Sequence, residues 1–338
     1  MSGSGLVVKT HAFGDALLAT PAVAALLAGG GDWCALAGPS SFEVWRRLPG
    51  LSSVIRAPFP FRGLRGALRL GCWAAGHGRR LRGFDCTVVF HALPAVRRMV
   101  RAATGAPSRS GGDSPLGPWE TVAPMSAGGF AGSLYAAVAG VEVSDFRPLF
   151  RIEDSERRAV EGALPSLPCI AVAPGGGRNP RDEVAEKRWP AERFAALIGR
   201  AAASGLHVVL LGDSRDSCEA SKAAALSGVA SVTDLTGRTG WGEAAAVMER
   251  CVAFVGPDSG LAHLACAVGI PAVVLFGPTD PAALYAPGLV TSVVSGMPCA
   301  PCYSNNVFGG CRTGRGGCML NIEPDMVWHG LEKTLDED

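Results

Sequence analysis

Residues 252–281 read VAFVGPDSGLAHLACAVGIPAVVLFGPTDP. Residues 252–255 are an apolar run of the length of a buried strand, and Gly256, Pro257 and Asp258 make a turn. Asp258 or Ser259 can cap a helix carrying Leu261, Leu264 and Ala267, which Gly269, Ile270 and Pro271 stop before a second apolar run at 272–276. A helix opened by Asp-Ser-Gly offers free backbone N–H groups and the positive end of its dipole. A diphosphate suits that end, and Gly260 lets it approach the backbone closely. Taken alone, Asp258 and Ser259 read as a plain N-cap. His263 one turn further on, and a second polar turn at Gly277–Pro278–Thr279–Asp280, argue for a site instead. Both turns fall at the carboxyl edge of one parallel sheet, where open α/β sheets bind ligands.

Working outward, the same grammar repeats. In the first half, residues 6–9, 33–37, 54–57 and 86–90 read as strands, and 16–27, 41–48, 64–75 and 95–104 as helices. In the second, strands at 169–173 and 206–211 are followed by Gly-rich or acidic turns, and helices are expected at 154–164, 191–203, 241–251 and 324–335. Alternation of this kind predicts an α/β fold with parallel, doubly wound sheets. The 338 residues suffice for two domains, placed at 1–150 and 151–322 with a C-terminal helix in 323–338. Residues 105–128, rich in Gly, Ser and Pro, read as a long loop.

No apolar run reaches the roughly 20 residues that span a bilayer, and the amino terminus lacks the marks of a signal peptide. The expectation is a cytoplasmic protein, with eleven cysteines that are buried, catalytic or metal-binding rather than a disulfide framework. Net charge is +1, unevenly divided: residues 1–150 hold 15 Lys and Arg against 8 Asp and Glu, residues 151–338 hold 16 against 22. The basic half would suit an anionic acceptor or peripheral contact with a membrane surface. Arg62, Arg65 and Arg69 share one helical face in a stretch without acidic residues, either a solvated face or a site for acceptor phosphates or carboxylates. No nucleic-acid motif is present.

The motifs together resemble glycosyltransferase family 9, the lipopolysaccharide heptosyltransferases. Asp258–Ser259–Gly260, His263, Gly269–Pro271 and Gly277–Pro281 stand for that family's D-[ST]-G-x-x-H, G-x-P and G-P-T-D-P. Gly14–Ala22 resembles G-D-x-[LIV]-x-x-[TLS]-P-A, and Lys187–Pro190 resembles K-x-W-P. The resemblance implies a GT-B architecture, two Rossmann-like domains facing a cleft. It implies Asp15 as general base, where position alone suggests a helix N-cap. Lys187, Ser259, Gly260 and Leu261 would hold the donor diphosphate, with Asp258 and His263 beside them. Asp216 would take the ribose hydroxyls, against the plainer reading of a solvated carboxylate.

The resemblance further implies an inverting enzyme that moves heptose from ADP-heptose to a glycan such as the lipopolysaccharide inner core, with no cofactor required for catalysis. A protein acceptor, as in autotransporter heptosyltransferases, and another sugar nucleotide remain alternatives. Outside transfer stand a sugar-nucleotide 2-epimerase and a non-catalytic nucleotide-sugar binding protein. Cys299, Cys302, Cys311 and Cys318 form a C-x2-C-x8-C-x6-C segment similar to one in the autotransporter enzymes. It reads either as a structural zinc or iron site or as four reduced thiols packing a loop.

Overall fold

The computed structural model describes residues 3–58, 72–73, 75–125, 129–177, 183–230, 232–304, 307–312, 314 and 316–336. The chain forms two compact units, Met1–Phe150 and Arg151–Asp338.

The first unit is built on a parallel six-stranded sheet: β1 (Ser4–Val8), β2 (Asp32–Ala37), β3 (Ser53–Arg56), β4 (Cys86–Val89), β5 (Ser108–Gly111) and β6 (Glu120–Ala123). Their spatial order is β3-β2-β1-β4-β5-β6. The chain winds outward from β1 in one direction and from β4 in the other, so the strand order reverses between β1 and β4, where doubly wound sheets leave a ligand crevice. Leu6, Val8, Leu36, Ile55 and Val89 fill the core beneath helices. β5 and β6 lie inside the stretch expected to be a loop. SRSG and ETVA carry almost no apolar alternation, and they form strands because the sheet edge offers β5 a ready ladder on β4. The helix after them, Ala131–Ala139, packs on the first helix and on β5.

That first helix runs Phe13–Ala28 and contains Pro21. Proline cannot donate to the carbonyl four residues back. The Thr20 hydroxyl donates to that carbonyl, Leu17 O, at 2.6 Å, and accepts the Leu149 N–H at 2.8 Å. The Thr-Pro pair thus makes a helix interior that tolerates proline and ties down the end of the first unit. The expected helix at 41–48 is one turn, Phe42–Trp45, whose Trp45 is fully buried.

The second unit repeats the plan: β7 (Cys169–Val172), β8 (His207–Leu210), β9 (Val232–Asp234), β10 (Ala253–Pro257), β11 (Ala272–Phe276) and β12 (Thr291–Val294), ordered β12-β11-β10-β7-β8-β9 and all parallel. The reversal falls between β7 and β10. β7, β10 and β11 are buried on both faces, which is why they read as unbroken apolar runs. The closing helix, Pro324–Asp336, adds Val327, Trp328 and Leu331 to this unit's core. The charged helix expected at 154–164 ends at Ala159. Between β12 and the closing helix sit a small hairpin, Tyr303–Ser304 with Val307–Phe308, and a one-turn helix, Gly317–Leu320.

Candidate functional site

In the second unit the two polar turns meet around a buried carboxylate. β10 delivers Asp258 to the carboxyl edge of the sheet, where it is 4% exposed. Ser259, not Asp258, is the N-cap of the helix Gly260–Val268: its hydroxyl accepts the Ala262 N–H at 3.4 Å. The N–H groups of Gly260 and Leu261 open that helix without an intrahelical acceptor. Asp258 is thereby free to pair with Lys187, whose Nζ lies 2.6 Å from Oδ2. The Tyr285 hydroxyl donates to Asp258 Oδ1 at 3.4 Å, and His263 Nε2 is 3.9 Å from the same oxygen. Tyr285 stacks on the His263 ring, centroids 4.5 Å apart and 12° from parallel. Burial pushes the Asp258 carboxyl up, but the charges of Lys187 and His263, then the hydrogen bond from Lys187, outweigh it and hold it below the usual range. Burial, and next the Asp258 charge, drive the Tyr285 phenol well above its ordinary value, so it stays a donor.

Lys187 is aimed by its neighbours. It ends a short 3-10 turn, Ala185–Lys187, and Trp189 two residues on is buried with its indole N–H donating to Ile322 O at 2.8 Å. Arg188 donates to Gly176 O at 3.0 Å and so fastens the glycine run after β7 to the same segment. That run needs its glycines. Gly176 and Gly177 have φ of +125° and +70°, and a Cβ on Gly175 would lie 2.0 Å from the Asp216 Cγ. Asp216 sits beyond the carboxyl end of β8, 8% exposed, and its Oδ2 accepts the Asp213 N–H at 3.1 Å. The sheet edge therefore brings Lys187, Asp216, Asp258, Ser259, Gly260, Leu261 and His263 into one unit, on strands β7, β8 and β10 and the loops after them.

The cysteine segment docks on this site. Pro278 O accepts the N–H groups of Cys302 and Tyr303 at 2.9 and 2.8 Å, and the Tyr303 ring centroid is 5.2 Å from Lys187 Nζ. Gly277 has room for Met319 and Cys318 only because it lacks a side chain. Gly316 N–H donates to Cys311 Sγ at 3.3 Å. Burial first, then the neighbouring thiols, raise Cys302 and Cys318. Among the described residues no three His, Cys, Asp or Glu side chains are grouped as metal donors. Cys318 packs beside Gly277 and the Cys302 backbone is bonded to Pro278, so the segment lies against the G-P-T-D turn.

In the first unit, Asp15 lies in the first turn of Phe13–Ala28. The helix is entered at Ala12 with no side-chain cap, so Asp15 is not the N-cap. Its Oδ2 accepts from Lys9 Nζ at 3.1 Å, with side chains 29% and 6% exposed respectively. Lys9 follows β1 directly and lies 5.2 Å from the centroid of the Tyr135 ring. His91, just past β4, accepts the Thr10 N–H on Nε2 at 3.0 Å, and its ring centroid lies 4.8 Å from that of His11. Sequence reading missed Lys9, His91, Tyr135 and Tyr285. A lysine closing an apolar strand was the available signal for the first; nothing in the sequence marks the tyrosines. Arg62, Arg65 and Arg69 lie outside the described residues. No helix among the described residues is long and apolar enough to cross a membrane.

A buried pair that loses one member leaves an uncompensated charge, at a cost of roughly 3–5 kcal/mol. Lys187→Met should therefore destabilise the second unit by about 3 kcal/mol near neutral pH, and Lys187→Met with Asp258→Asn by clearly less. Asp258 titrates below its unfolded value, so the pair stabilises above about pH 4 and is lost as pH falls through the folded value. Denaturant titrations from pH 3 to 7 check both: the penalty of Lys187→Met should shrink toward the acid end.

The glycosyltransferase family 9 (heptosyltransferase) profile matches residues 131–308. Over 179 residues the chain is 30% identical to lipopolysaccharide heptosyltransferase 2 of Salmonella typhimurium, covering 51% of this chain and 48% of that one. It is 34% identical over 121 residues to lipooligosaccharide heptosyltransferase 2 of Haemophilus influenzae, 35% of this chain and 34% of that one. The matched part thus spans between a third and a half of these curated relatives. The solved ADP-heptose lipopolysaccharide heptosyltransferase II of E. coli superposes with a TM-score of 0.75 at 22% identity, over 100% of this chain and 99% of that one. An iron-containing dodecameric glycosyltransferase of enterotoxigenic E. coli gives 0.65 at 14% identity, over 99% of this chain and 77% of that one. The fold is GT-B, and the chain belongs to glycosyltransferase family 9, the heptosyltransferase family.

Proposed function

We propose that the protein is an inverting glycosyltransferase that moves heptose from ADP-heptose to a glycan acceptor of the lipopolysaccharide inner-core type. The observation that carries this is the assembly of the D-S-G-x-x-H and G-P-T-D-P motifs around one helix N-terminus with a lysine against it. That arrangement supplies what a leaving diphosphate needs without a metal: backbone N–H groups, a helix dipole and a fixed cation. The family match and the names of the curated relatives favour transfer to a lipopolysaccharide glycan over a protein acceptor, an epimerase or a non-catalytic binder.

In the proposed reaction the donor is held on the second unit by Gly260, Leu261 and Lys187, with Asp216 at the ribose. The acceptor hydroxyl attacks the anomeric carbon opposite the leaving group. Asp15 takes the hydroxyl proton, the new C–O bond forms, and the bond to the diphosphate breaks with its electron pair leaving on ADP. One displacement gives one inversion. The same reading has the protein at the cytoplasmic face of the inner membrane, its basic first unit toward anionic lipid or glycan. Arg62, Arg65 and Arg69 are proposed acceptor contacts.

General-base assistance is worth roughly 10²–10⁴-fold. Asp15→Asn should bind ADP-heptose as the parent does and lose transfer to a heptose-deficient core acceptor by that factor; undiminished transfer would remove Asp15 as the base. The cysteine segment enters the proposal as a buttress of the donor site, with structural zinc or iron as its finer form. Elemental analysis of the purified protein should then give close to one metal per chain, and Cys302→Ser should lower it; a metal-free, fully stable protein would leave the thiols as packing alone.

A further inference from the structure

Lys9 is a cation placed at some cost. It is 5% exposed, at the end of an apolar strand, in a unit whose sheet core needs no charge there. Its main chain and its side chain are both fixed. The Lys9 carbonyl accepts two donors from the segment after β2, the Ser41 hydroxyl at 2.8 Å and the Trp45 indole N–H at 2.9 Å, and both of those residues are fully buried. The ammonium lies 5.2 Å from the Tyr135 ring centroid, and Tyr135 is itself packed edge-on against Phe90, the residue after β4. What this rigid mount presents is an ammonium 3.1 Å from Asp15 Oδ2.

We infer that Lys9 is the positioning residue of the proton acceptor: it clamps Asp15 by one carboxylate oxygen, fixing the carboxylate's direction and holding it ionised. The inference rests on the transfer reading for its catalytic consequence and on geometry for the clamp. Asp15 stands in the first turn of a helix entered at Ala12 without a side-chain cap, and its carboxylate meets Lys9. The groups facing the pair are Tyr135 from the helix Ala131–Ala139, His91 after β4, and His11. His91 takes the Thr10 N–H on Nε2, which requires that nitrogen to be unprotonated, and Thr10 Oγ1 lies 3.1 Å from His11 Nδ1. Burial and the Asp15 charge push the Tyr135 phenol up to about 12, so it is neutral through the working range. Lys9 meets Asp15 directly, at 3.1 Å. Although burial opposes it, the Asp15 and Tyr135 interactions raise Lys9 above its ordinary value, so it remains charged wherever the enzyme would work.

Replacing a buried ion-pair member by an apolar side chain of similar length need not unfold a protein when its partner can reach water, and Asp15 is 29% exposed. Lys9→Met should fold, keep the donor KM, and lose kcat by roughly 10- to 100-fold at neutral pH, the scale of a misdirected catalytic group. The acid limb of its kcat–pH profile should move up by about one unit or more, as expected when an opposite charge leaves a carboxylate. Lys9→Arg, which keeps the cation but not its reach, should restore the position of the limb and only part of the rate. It also serves if the Met variant does not fold. On an Asp15→Asn background, Lys9→Met should cost nothing further.

The carboxyl carbon of Asp15, followed by NMR titration in parent and Lys9→Met protein, reads the clamp without any turnover, and its midpoint should rise with the acid limb. An unmoved midpoint and limb, or multiplying losses in the double variant, would overturn the inference. A moved midpoint in a parent protein that transfers no sugar would keep the clamp and reject the transfer reading.

Discussion

The buried pair of Lys187 and Asp258 is the contact on which the second unit's site depends. An ammonium and a carboxylate 2.6 Å apart in a nearly dry pocket stabilise little by themselves, because desolvation consumes most of their attraction. What the pair does is specify geometry. Trp189, two residues from Lys187, is anchored to Ile322 and so ties the lysine's segment to the chain before the closing helix. Ser259 takes the helix cap while Asp258 accepts Lys187. Tyr285 and His263 close the other carboxylate oxygen, and Tyr303 brings the cysteine segment over the lysine. Five separate stretches of chain converge on two side chains.

The first unit solves the same problem in the same way. Each unit has a six-stranded parallel sheet whose order reverses beside its first strand, and each places a lysine–aspartate pair at the carboxyl edge near that reversal. The sheets dictate this. Helix starts and strand ends gather there, with unpaired backbone N–H groups and no room for bulky side chains, so charged groups placed there are oriented by many neighbours at once. The two pairs differ in exposure. Asp258 is shut away; Asp15 is more exposed and keeps a path to water, as its proposed role of proton acceptor requires.

How much of this could be read in the sequence follows from what each residue owes to its neighbours in the chain. Val252–Val255 and Ala272–Phe276 were visible because strands covered on both faces must be apolar throughout. Ser259, Gly260 and His263 were visible because helix starts have local chemistry. β5 and β6 were not, since SRSG and ETVA are strands by virtue of the sheet edge they join. Nor was the choice of Ser259 over Asp258 as the cap, because the pairing of Asp258 with a lysine 71 residues away leaves no local mark. Tyr285 and Tyr135 take part only through burial beside a carboxylate, which no spacing announces. The four cysteines gave a spacing that suits metal, while the backbone N–H of Cys302 serves the turn at Pro278.

The central claim is that the helix N-terminus at Gly260, with Lys187 beside it, holds the diphosphate of an adenine nucleotide sugar. Thermal unfolding of the protein with ADP, ADP-heptose, UDP and a UDP-hexose tests it most directly. At about 100 times its dissociation constant a ligand adds roughly 2.7 kcal/mol. ADP and ADP-heptose should stabilise the protein, an effect abolished in a Lys187→Met, Asp258→Asn protein. Stabilisation by the UDP compounds alone would contradict it.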